Sequence, residues 1–286
     1  MSGKLLWTVF AVSACALFLL ACSGGQSGAK KTDSASGTTR AVALTSTIRI
    51  PVLLLENGFP ESALADKREA LAVIAGGPDE LPQGPTGFEL TTDGRILVSD
   101  PVRRRVAVFD ATGGFRGEWP VGFPVESIAL SANGIFRLRP SDSSPDRFYD
   151  SQGHEQGVET SIPETQPLIA RLSSPTLGVV EGRPSGGPLQ IAFESGTLRL
   201  ISVDALGAAP NGGVYVALEV TPGGDTIAVQ KQVRKYGADG KVQAEVTDIP
   251  LNYDFAPVDE LKVRRGVLYQ LEPAKSEIKI NRWNLD

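Results

Sequence analysis

Residues 85–119 read PTGFELTTDGRILVSDPVRRRVAVFDATGGFRGEW, and this stretch decides the fold. It holds short apolar runs that are separated by two turns rich in Gly and Asp and by one turn that begins at Pro101. Glycine permits a positive φ in a tight turn, and proline, which has no N–H, is tolerated where a strand leaves a sheet. The stretch therefore predicts four short strands in one sheet.

The same pattern recurs along the chain. An aromatic residue precedes each turn, at intervals of 40, 44, 43 and 47 residues: Phe109, Tyr149, Phe193, Tyr236 and Trp283. A period of about 40 residues belongs to solenoids, propellers and arrays, and helical periodicity is weak here. Four strands per unit predict an all-β fold, a β-propeller, in which the aromatic residue fills the gap between neighbouring blades.

Five units are plain in the sequence, at 84–124, 125–168, 169–207, 208–250 and 251–286. The last unit supplies three strands, so we expect an N-terminal strand within 68–77 to complete that sheet and close the ring. Residues 46–58 add at least one more strand. We expect six blades, with five as the alternative.

The first residues form a separate segment. Lys4 is the only charge before an apolar stretch over 5–20, which ends in LLAC at 19–22. This ending resembles the lipobox of bacterial lipoproteins, which implies cleavage before Cys22 and acylation of that cysteine. The alternative, an uncleaved membrane helix, is at the short end of the roughly 17–25 residues that a span requires. No aspartate follows Cys22, which favours an outer-membrane location within the cell envelope.

These features predict three segments. Residues 1–21 are a signal peptide, residues 22–42 are the lipidated cysteine with a disordered tether, and residues 43–286 are the propeller. The tether is rich in Ser, Gly and Thr and cannot bury enough apolar surface to fold.

Composition excludes several functions. The chain has two cysteines, Cys15 in the signal and Cys22, so the mature domain has no thiol for a disulfide, a metal or a nucleophile. The one histidine, His154, lies in a polar turn, where we expect it to be solvated and without a catalytic role. A net charge of −5 argues against a nucleic-acid partner. We predict no catalytic residue, no metal ligand and no cofactor, and Ca²⁺ bound by turn carboxylates remains the open alternative.

The unit at 85–119 resembles the NHL repeat. The matching positions are Asp93, Gly94, Val98, Asp100, Arg105, Val108, Phe109, Asp110 and Gly113. The segment at 73–85 resembles the entry of bacterial six-bladed propellers of this kind. The resemblance implies a propeller and a structural role for Arg105, which braces the hairpin in that repeat.

Candidate binding residues lie where second strands meet third strands and where one unit links to the next. These connections share one face of a propeller. They carry Arg103, Arg104, Arg139, Arg183, Tyr253 and Phe255. Arginines and aromatic rings anchor protein partners or a carboxylate ligand. The alternative is a solvated rim with Asp–Arg pairs.

Three functions remain open. The first is a lipid-anchored propeller that binds a protein or small ligand in the envelope without catalysis. The second is a metal-dependent hydrolase or lactonase of the six-bladed type, which resembles gluconolactonase. The third is carbohydrate binding, which the chain's three tryptophans make weaker. Fold alone decides none of these.

Overall fold

The computed structural model describes residues 39–56, 59–157, 168–183, 188–222 and 228–286. Strands take up 53% of these residues and short 3-10 helices 4%. The predicted signal peptide, Cys22 and the tether as far as residue 38 lie outside the described part. Over the described ranges, no helix combines the length and the hydropathy that crossing a bilayer demands.

The strands are short and follow one another closely. In chain order they are β1 (Arg40–Ala41), β2 (Ser46–Leu55), β3 (Leu71–Ile74), β4 (Phe88–Leu90), β5 (Ile96–Asp100), β6 (Arg105–Phe109), β7 (Phe115–Pro120), β8 (Val125–Leu130), β9 (Phe136–Pro140), β10 (Arg147–Tyr149), β11 (Glu155–Gln156), β12 (Ile169–Ser174), β13 (Leu177–Gly182), β14 (Leu189–Glu194), β15 (Arg199–Ala209), β16 (Gly213–Thr221), β17 (Gln230–Tyr236), β18 (Val242–Val246), β19 (Leu261–Arg264), β20 (Val267–Pro273) and β21 (Glu277–Asn284). The 3-10 helices are Glu61–Ala65 and Pro210–Gly212.

These strands form five sheets. Sheet I is β4–β7, sheet II is β8–β11, sheet III is β12–β14, sheet IV is β15–β18 with β1, and sheet V is β19–β21 with β2 and β3. Strands that follow one another within a sheet pair antiparallel, and only the additions of β1 to β18 and of β3 to β2 are parallel. Small meandering sheets in succession are the blades of a β-propeller, so the predicted fold is confirmed. The described residues contain no sixth sheet, and the preferred count of six blades is not confirmed.

The repeated Gly-containing turns share one geometry. Asp110 N–H donates to the Gly114 carbonyl at 2.9 Å, and Gly113 N–H donates to the Asp110 carbonyl at 3.0 Å, with Gly113 at φ 89°. The same pair of backbone hydrogen bonds closes the turns at 91–95, 131–135, 150–154 and 237–241. We call the end of the strands that carries these turns the turn face. The opposite end carries turns such as 101–104 and the links between sheets, and we call it the link face.

The aromatic markers are buried as predicted. None of Phe109, Tyr149, Phe193, Tyr236 and Trp283 is more than 3% exposed. Each belongs to one of four apolar clusters, which lie between sheets V and I, I and II, III and IV, and IV and V. Sheet I therefore has both faces covered, and every residue of β5 and β6 is buried.

The fifth seam, between sheets II and III, differs from the other four. Among the described residues no buried apolar cluster joins these two sheets. Strand β9 instead alternates buried Phe136 and Leu138 with exposed Arg137 and Arg139. Residues 158–167, which connect the two sheets, lie outside the described part.

Sheet V is built from both ends of the chain. Strand β2 pairs antiparallel with β21, with Ile48 opposite Ile280. Strand β3 then adds parallel to β2 on the outer side. The expected strand within 68–77 is therefore present in this sheet, but β2 is the strand that pairs directly with the C-terminal strands.

Sheet III departs from the predicted four-stranded unit. It has three strands, and β15, which was predicted to belong to unit 169–207, pairs with β16 in sheet IV. Leu200 N–H, at the link-face end of β15, donates to the Pro175 carbonyl in the β12–β13 turn at 2.7 Å. That turn therefore lies at the link face, and the paired residues Gly182 and Leu189, where β13 ends and β14 begins, lie toward the turn face, whereas the sequence predicted the reverse.

Arg105 braces its hairpin as the resemblance implies. Its side chain is 5% exposed, and its Nε donates to Asp100 Oδ2 at 2.9 Å. Its Nη2 donates to the Ala70 carbonyl at 2.9 Å, and Nη1 contacts Glu118. One guanidinium thus joins β5, β6, β7 and the segment before β3.

The turn carboxylates predict a loss of stability in acid. Hydrogen bonds from Thr112 and Gly114 hold the pKa of Asp110 well below its ordinary value, and backbone N–H groups lower the pKa of Asp150 and Asp239. A carboxyl group with a lower pKa in the folded state stabilises above its unfolded pKa and loses that contribution as the pH falls below about 4. Replacing all three by Asn keeps an acceptor oxygen but removes the titration. Urea unfolding at several pH values should show a flatter acid limb for this variant, and equal slopes would contradict the assignment.

Burial of the aromatic markers predicts a large cost for truncation. Phe109→Ala should lower the free energy of unfolding by about 3–5 kcal/mol, because it leaves a cavity between two sheets. Phe115 packs on Phe109 edge-to-face, with 5.8 Å between ring centroids, but is only half-buried. Phe115→Ala is therefore the matched control and should cost less than half as much in urea unfolding. Equal losses would show that the seam does not depend on the marker ring.

Candidate functional site

A cavity of about 600 Å³ opens on the link face. Three segments meet there: residues 81–86, which lead into β4; residues 250–258, which link β18 to β19; and the neighbouring ends of β8 and β9. The N–H groups of Val258 and Asp259 donate to the Thr86 carbonyl at 2.7 and 3.0 Å, which holds two of the segments together. Both predicted aromatic residues, Tyr253 and Phe255, line this link-face cavity.

Phe255 is held against backbone. Its ring is half-buried and packs on the cluster between sheets V and I. A Cβ at Gly84 would lie 2.6 Å from Phe255 Cζ and 3.0 Å from Val73 Cγ2. Glycine at position 84 therefore lets the ring lie directly on the chain, and this contact fixes one wall of the cavity.

Tyr253 forms a second wall and is fixed by a polar network. Its hydroxyl donates to the Glu260 carboxylate, and Gln270 Nε2 donates to Glu260 Oε1 at 3.1 Å and to the Pro250 carbonyl at 2.7 Å. The Lys231 ammonium contacts the same carboxylate. Burial and the hydrogen bond to Glu260 raise the pKa of Tyr253 well above its ordinary value, so the hydroxyl stays a donor.

The rim of the link-face cavity exposes apolar side chains beside acidic ones. Leu81 is 86% exposed and Val258 is 49% exposed, and both line the cavity. Leu251, in the same link, is 40% exposed. Glu126 and Asp254 also line it, and within the described residues neither forms an ion pair. A partner for this surface would bring apolar atoms and positive charge.

The predicted Arg103 and Arg104 lie apart from Tyr253 and Phe255, at a separate cavity of about 630 Å³. The Arg103 side chain is 5% exposed and donates to the carbonyls of Leu64 at 3.0 Å and Asp66 at 2.7 Å, and to that of Ala70. Its guanidinium therefore holds the segment around the first 3-10 helix. Arg104 is exposed, with φ 53°.

Arg139 and Arg183 are also separated. Arg139 is 48% exposed, and its Nε lies 3.9 Å from Asp146 Oδ1, which matches the alternative of a rim with Asp–Arg pairs. Arg183 is exposed in the β13–β14 connection. The end of β13 that Arg183 follows lies toward the turn face, whereas the sequence predicted Arg183 on the link face.

A buried charge cluster joins the innermost strands of sheets I, II and V. Glu89 is 2% exposed and accepts from Arg264 Nη2 at 2.9 Å, while Lys262 Nζ lies 3.8 Å from it. Asp259 accepts from Ile128 N–H at 2.8 Å and lies 3.4 Å from Lys262. Burial raises the pKa of Asp259, and Lys262 opposes that rise. This cluster was not predicted, although a glutamate inside the apolar run GFELT was a usable signal.

Over the described ranges no group of three or more His, Cys, Asp and Glu side chains is arranged to hold a metal ion. His154 is 75% exposed, and its Nδ1 lies 3.1 Å from Asp150 Oδ2 within one turn. Binding of Ca²⁺ therefore stays a prediction, and among these residues no site for it is located.

No model of a known protein family and no curated protein sequence matches the chain. Among solved structures, virginiamycin B lyase from Staphylococcus aureus is similar at 9% identity and a TM-score of 0.38, over 71% of this chain and 95% of that one. A calcium-binding protein, regucalcin, from Agrobacterium tumefaciens is similar at 10% identity and a TM-score of 0.34, over 87% and 97%. A member of the DUF4221 family from Bacteroides vulgatus gives 10% and 0.30, over 85% and 97%. Identities and TM-scores this low support no inference about function. The likeness to the NHL repeat remains a resemblance of the single unit at 85–119.

The network under Tyr253 predicts a specific loss. Tyr253→Phe removes a donor to the Glu260 carboxylate, which is 13% exposed, and should lower the free energy of unfolding by about 1–3 kcal/mol. Tyr215→Phe is the matched control, because Tyr215 OH donates to Asp286 Oδ1 at 3.0 Å and that carboxylate is 39% exposed. Water can replace the lost bond there, so the control should lose less than half as much in urea unfolding. Equal losses from the two variants would contradict the network.

Proposed function

We propose that this chain is a lipid-anchored β-propeller of the cell envelope that binds a protein partner at the link-face cavity, without catalysing a reaction. The observation that carries the proposal is the apolar rim of that cavity, where Leu81 and Val258 are exposed beside the fixed rings of Tyr253 and Phe255. Monomeric proteins rarely leave such side chains together in water unless a partner covers them. Aromatic anchors in a preformed concavity are typical of interface centres.

The polar groups around the cavity favour a binding function over catalysis by proton transfer. The Tyr253 hydroxyl, Gln270 and Lys231 all engage Glu260, so these groups satisfy one another inside the protein. The acidic groups at the rim, Glu126 and Asp254, form no ion pair within the described residues, although Asp254 Oδ2 accepts a hydrogen bond from Lys275 N–H at 2.6 Å. The arrangement favours a peptide segment with one apolar side chain between basic residues, because charge complementarity selects partners and speeds association.

The ending LLAC at 19–22, which resembles a lipobox, supports the lipid anchor on Cys22. Two or three acyl chains make a stable anchor, and the expected location is the outer membrane.

Labelling with a palmitate analogue tests the anchor. Cys22 of the purified protein should carry the label, and Cys22→Ala should remain unlabelled and leave the membrane fraction. Label on the Cys22→Ala variant, or an unmodified thiol at Cys22, would contradict the lipoprotein assignment while leaving the cavity open to test.

Site-specific photo-crosslinking tests the binding surface. A photoreactive residue in place of Leu81 should give a discrete adduct in cells, and the same residue in place of Ile169, which is 56% exposed on sheet III, should not. Phe255→Ala should abolish the Leu81 adduct. Adducts of equal strength from both positions would indicate non-specific crosslinking and would contradict a binding surface at the cavity.

A peptide probe tests the chemistry of the partner. A peptide with one phenylalanine flanked by lysines should bind the full chain in calorimetry. Exchanging its phenylalanine for alanine, or its lysines for glutamates, should weaken binding by about tenfold, which corresponds to about 1.4 kcal/mol. Glu126→Gln should weaken the lysine peptide alone. Equal binding of all three peptides would refute the proposed recognition.

A further inference from the structure

A second cavity, of about 560 Å³, opens on the turn face. It lies where β4 and β8 end and where β19 turns into β20, so sheets I, II and V share it. We call it the turn-face cavity. It is separate from the link-face cavity, because the two lie at opposite ends of the same strands.

The floor of the turn-face cavity is apolar. Leu90 is buried at its base, and Leu130, Val267 and Tyr269 are half-buried around it. Tyr269 is also held from outside, since the Arg282 guanidinium lies 5.4 Å from its ring centroid. A floor of this kind receives the hydrocarbon part of a ligand.

Arg264 supplies a fixed cation at the edge of the cavity. Its Nη2 donates to Glu89 Oε1 at 2.9 Å, and Glu89 also accepts two backbone N–H groups at 2.8 and 3.1 Å. Glu89 is thereby held in place and holds Arg264 in turn. Arg264 remains 40% exposed, and its buried Nε has no hydrogen-bond partner in the described structure.

Arg265 supplies a second cation, at an unfavourable backbone position. It has φ 50° and is followed by Gly266 at φ 72°, which is the geometry of a two-residue hairpin turn that favours Asn or Asp before the glycine. A positive φ is unfavourable for a residue with a Cβ, and arginine lacks the short polar side chain by which Asn or Asp offsets that cost with a local hydrogen bond. Its Nη2 donates to the Thr92 carbonyl at 2.7 Å, across the mouth of the cavity, and within the described residues it has no ion-pair partner.

The charges of this region leave one cation unmatched. Glu89 and Asp259 are neutralised by Lys262 and Arg264. The Asp286 carboxylate, which lies beside Gly266, is paired with Lys235. Within the described residues the charge of Arg265 therefore has no ion-pair partner. An unmatched guanidinium over an apolar floor pairs most favourably with a carboxylate, which it can bind through two parallel hydrogen bonds.

We propose that the turn-face cavity binds a small organic carboxylate with an apolar body, its carboxylate on Arg265 and the exposed edge of Arg264. The strained turn at Arg265 is retained for this contact. The proposal does not depend on the partner assigned to the link face, since the two sites share no lining residue.

Three related probes test the ligand class on the purified full chain. 4-Phenylbutyrate, 4-phenylbutanol and 4-phenylbutylamine share one apolar body and differ in the charge of the end group. Calorimetry should show binding of the acid, binding of the alcohol that is about tenfold weaker, as expected for losing a charge-assisted pair, and weaker binding still of the amine. Equal affinity for the acid and the alcohol would overturn the role of the arginines.

Arg265→Asn separates folding from binding. Asparagine suits the turn, so this variant should unfold at the same or a higher urea concentration than the parent chain. It should nevertheless bind 4-phenylbutyrate about tenfold more weakly. A variant that keeps the parent affinity would refute the contact. A variant that loses stability would refute the argument that the turn is strained.

A pair of tryptophan variants locates the probe. Ala132 lines the turn-face cavity and is the second residue of the turn at 131–135, and Ala111 occupies the same position of the turn at 110–114, outside the cavity. Both are exposed. Ala132→Trp should fill the mouth and abolish binding of 4-phenylbutyrate, while Ala111→Trp should leave it unchanged. Binding that survives in Ala132→Trp would place the probe elsewhere and overturn the proposal.

Discussion

Apolar packing between neighbouring sheets is the constraint on which the rest of this structure depends. Every residue of β5 and β6 in sheet I is buried, so neither face of this sheet can be exposed to water. Each face therefore needs a neighbouring sheet. One buried ring per sheet provides much of that cover. Both cavities follow from this arrangement. They lie at the two ends of the strands, where the sheets stop packing and loops from three sheets converge.

Much of the fold could be predicted because the same solution is repeated. The glycine turns and buried aromatic residues are local features. Every marker ring is buried as predicted, and the glycine turns outside sheet III were found at their predicted places. Sheet III was the exception. Its marker Phe193 is buried as predicted and contacts Tyr236 with 4.7 Å between ring centroids, but the strand that carries Phe193 runs in the opposite direction to the prediction. Spacing between markers carries no information on strand direction. The strand with which each terminal strand pairs is likewise determined by packing between distant segments, which a local pattern does not encode.

The candidate sites were predicted less well than the fold, for a physical reason. Tyr253 and Phe255 were predicted because aromatic rings in a link are the kind of groups that anchor a partner, and both line the link-face cavity, where binding stays a prediction. The role of Arg103 depends on carbonyl groups at 64 and 66, more than thirty residues away, which no motif around position 103 reveals. Glu89 and Arg264 lie 175 residues apart in the chain and meet only through the ring. Contacts of this kind exist only after the sheets have packed.

The composition of sheet V has a consequence for how the protein is made. Strand β2 is the second of the described strands in chain order, and its partner β21 is the last of them. Until β21 has been synthesised, the apolar segment 48–55 lacks its antiparallel partner and offers an open edge to other chains. Pairings between such distant segments form slowly, because a long loop must close first. The newly made chain therefore passes through a vulnerable period in which a holding chaperone would improve the yield, and that period ends when β2 and β21 pair.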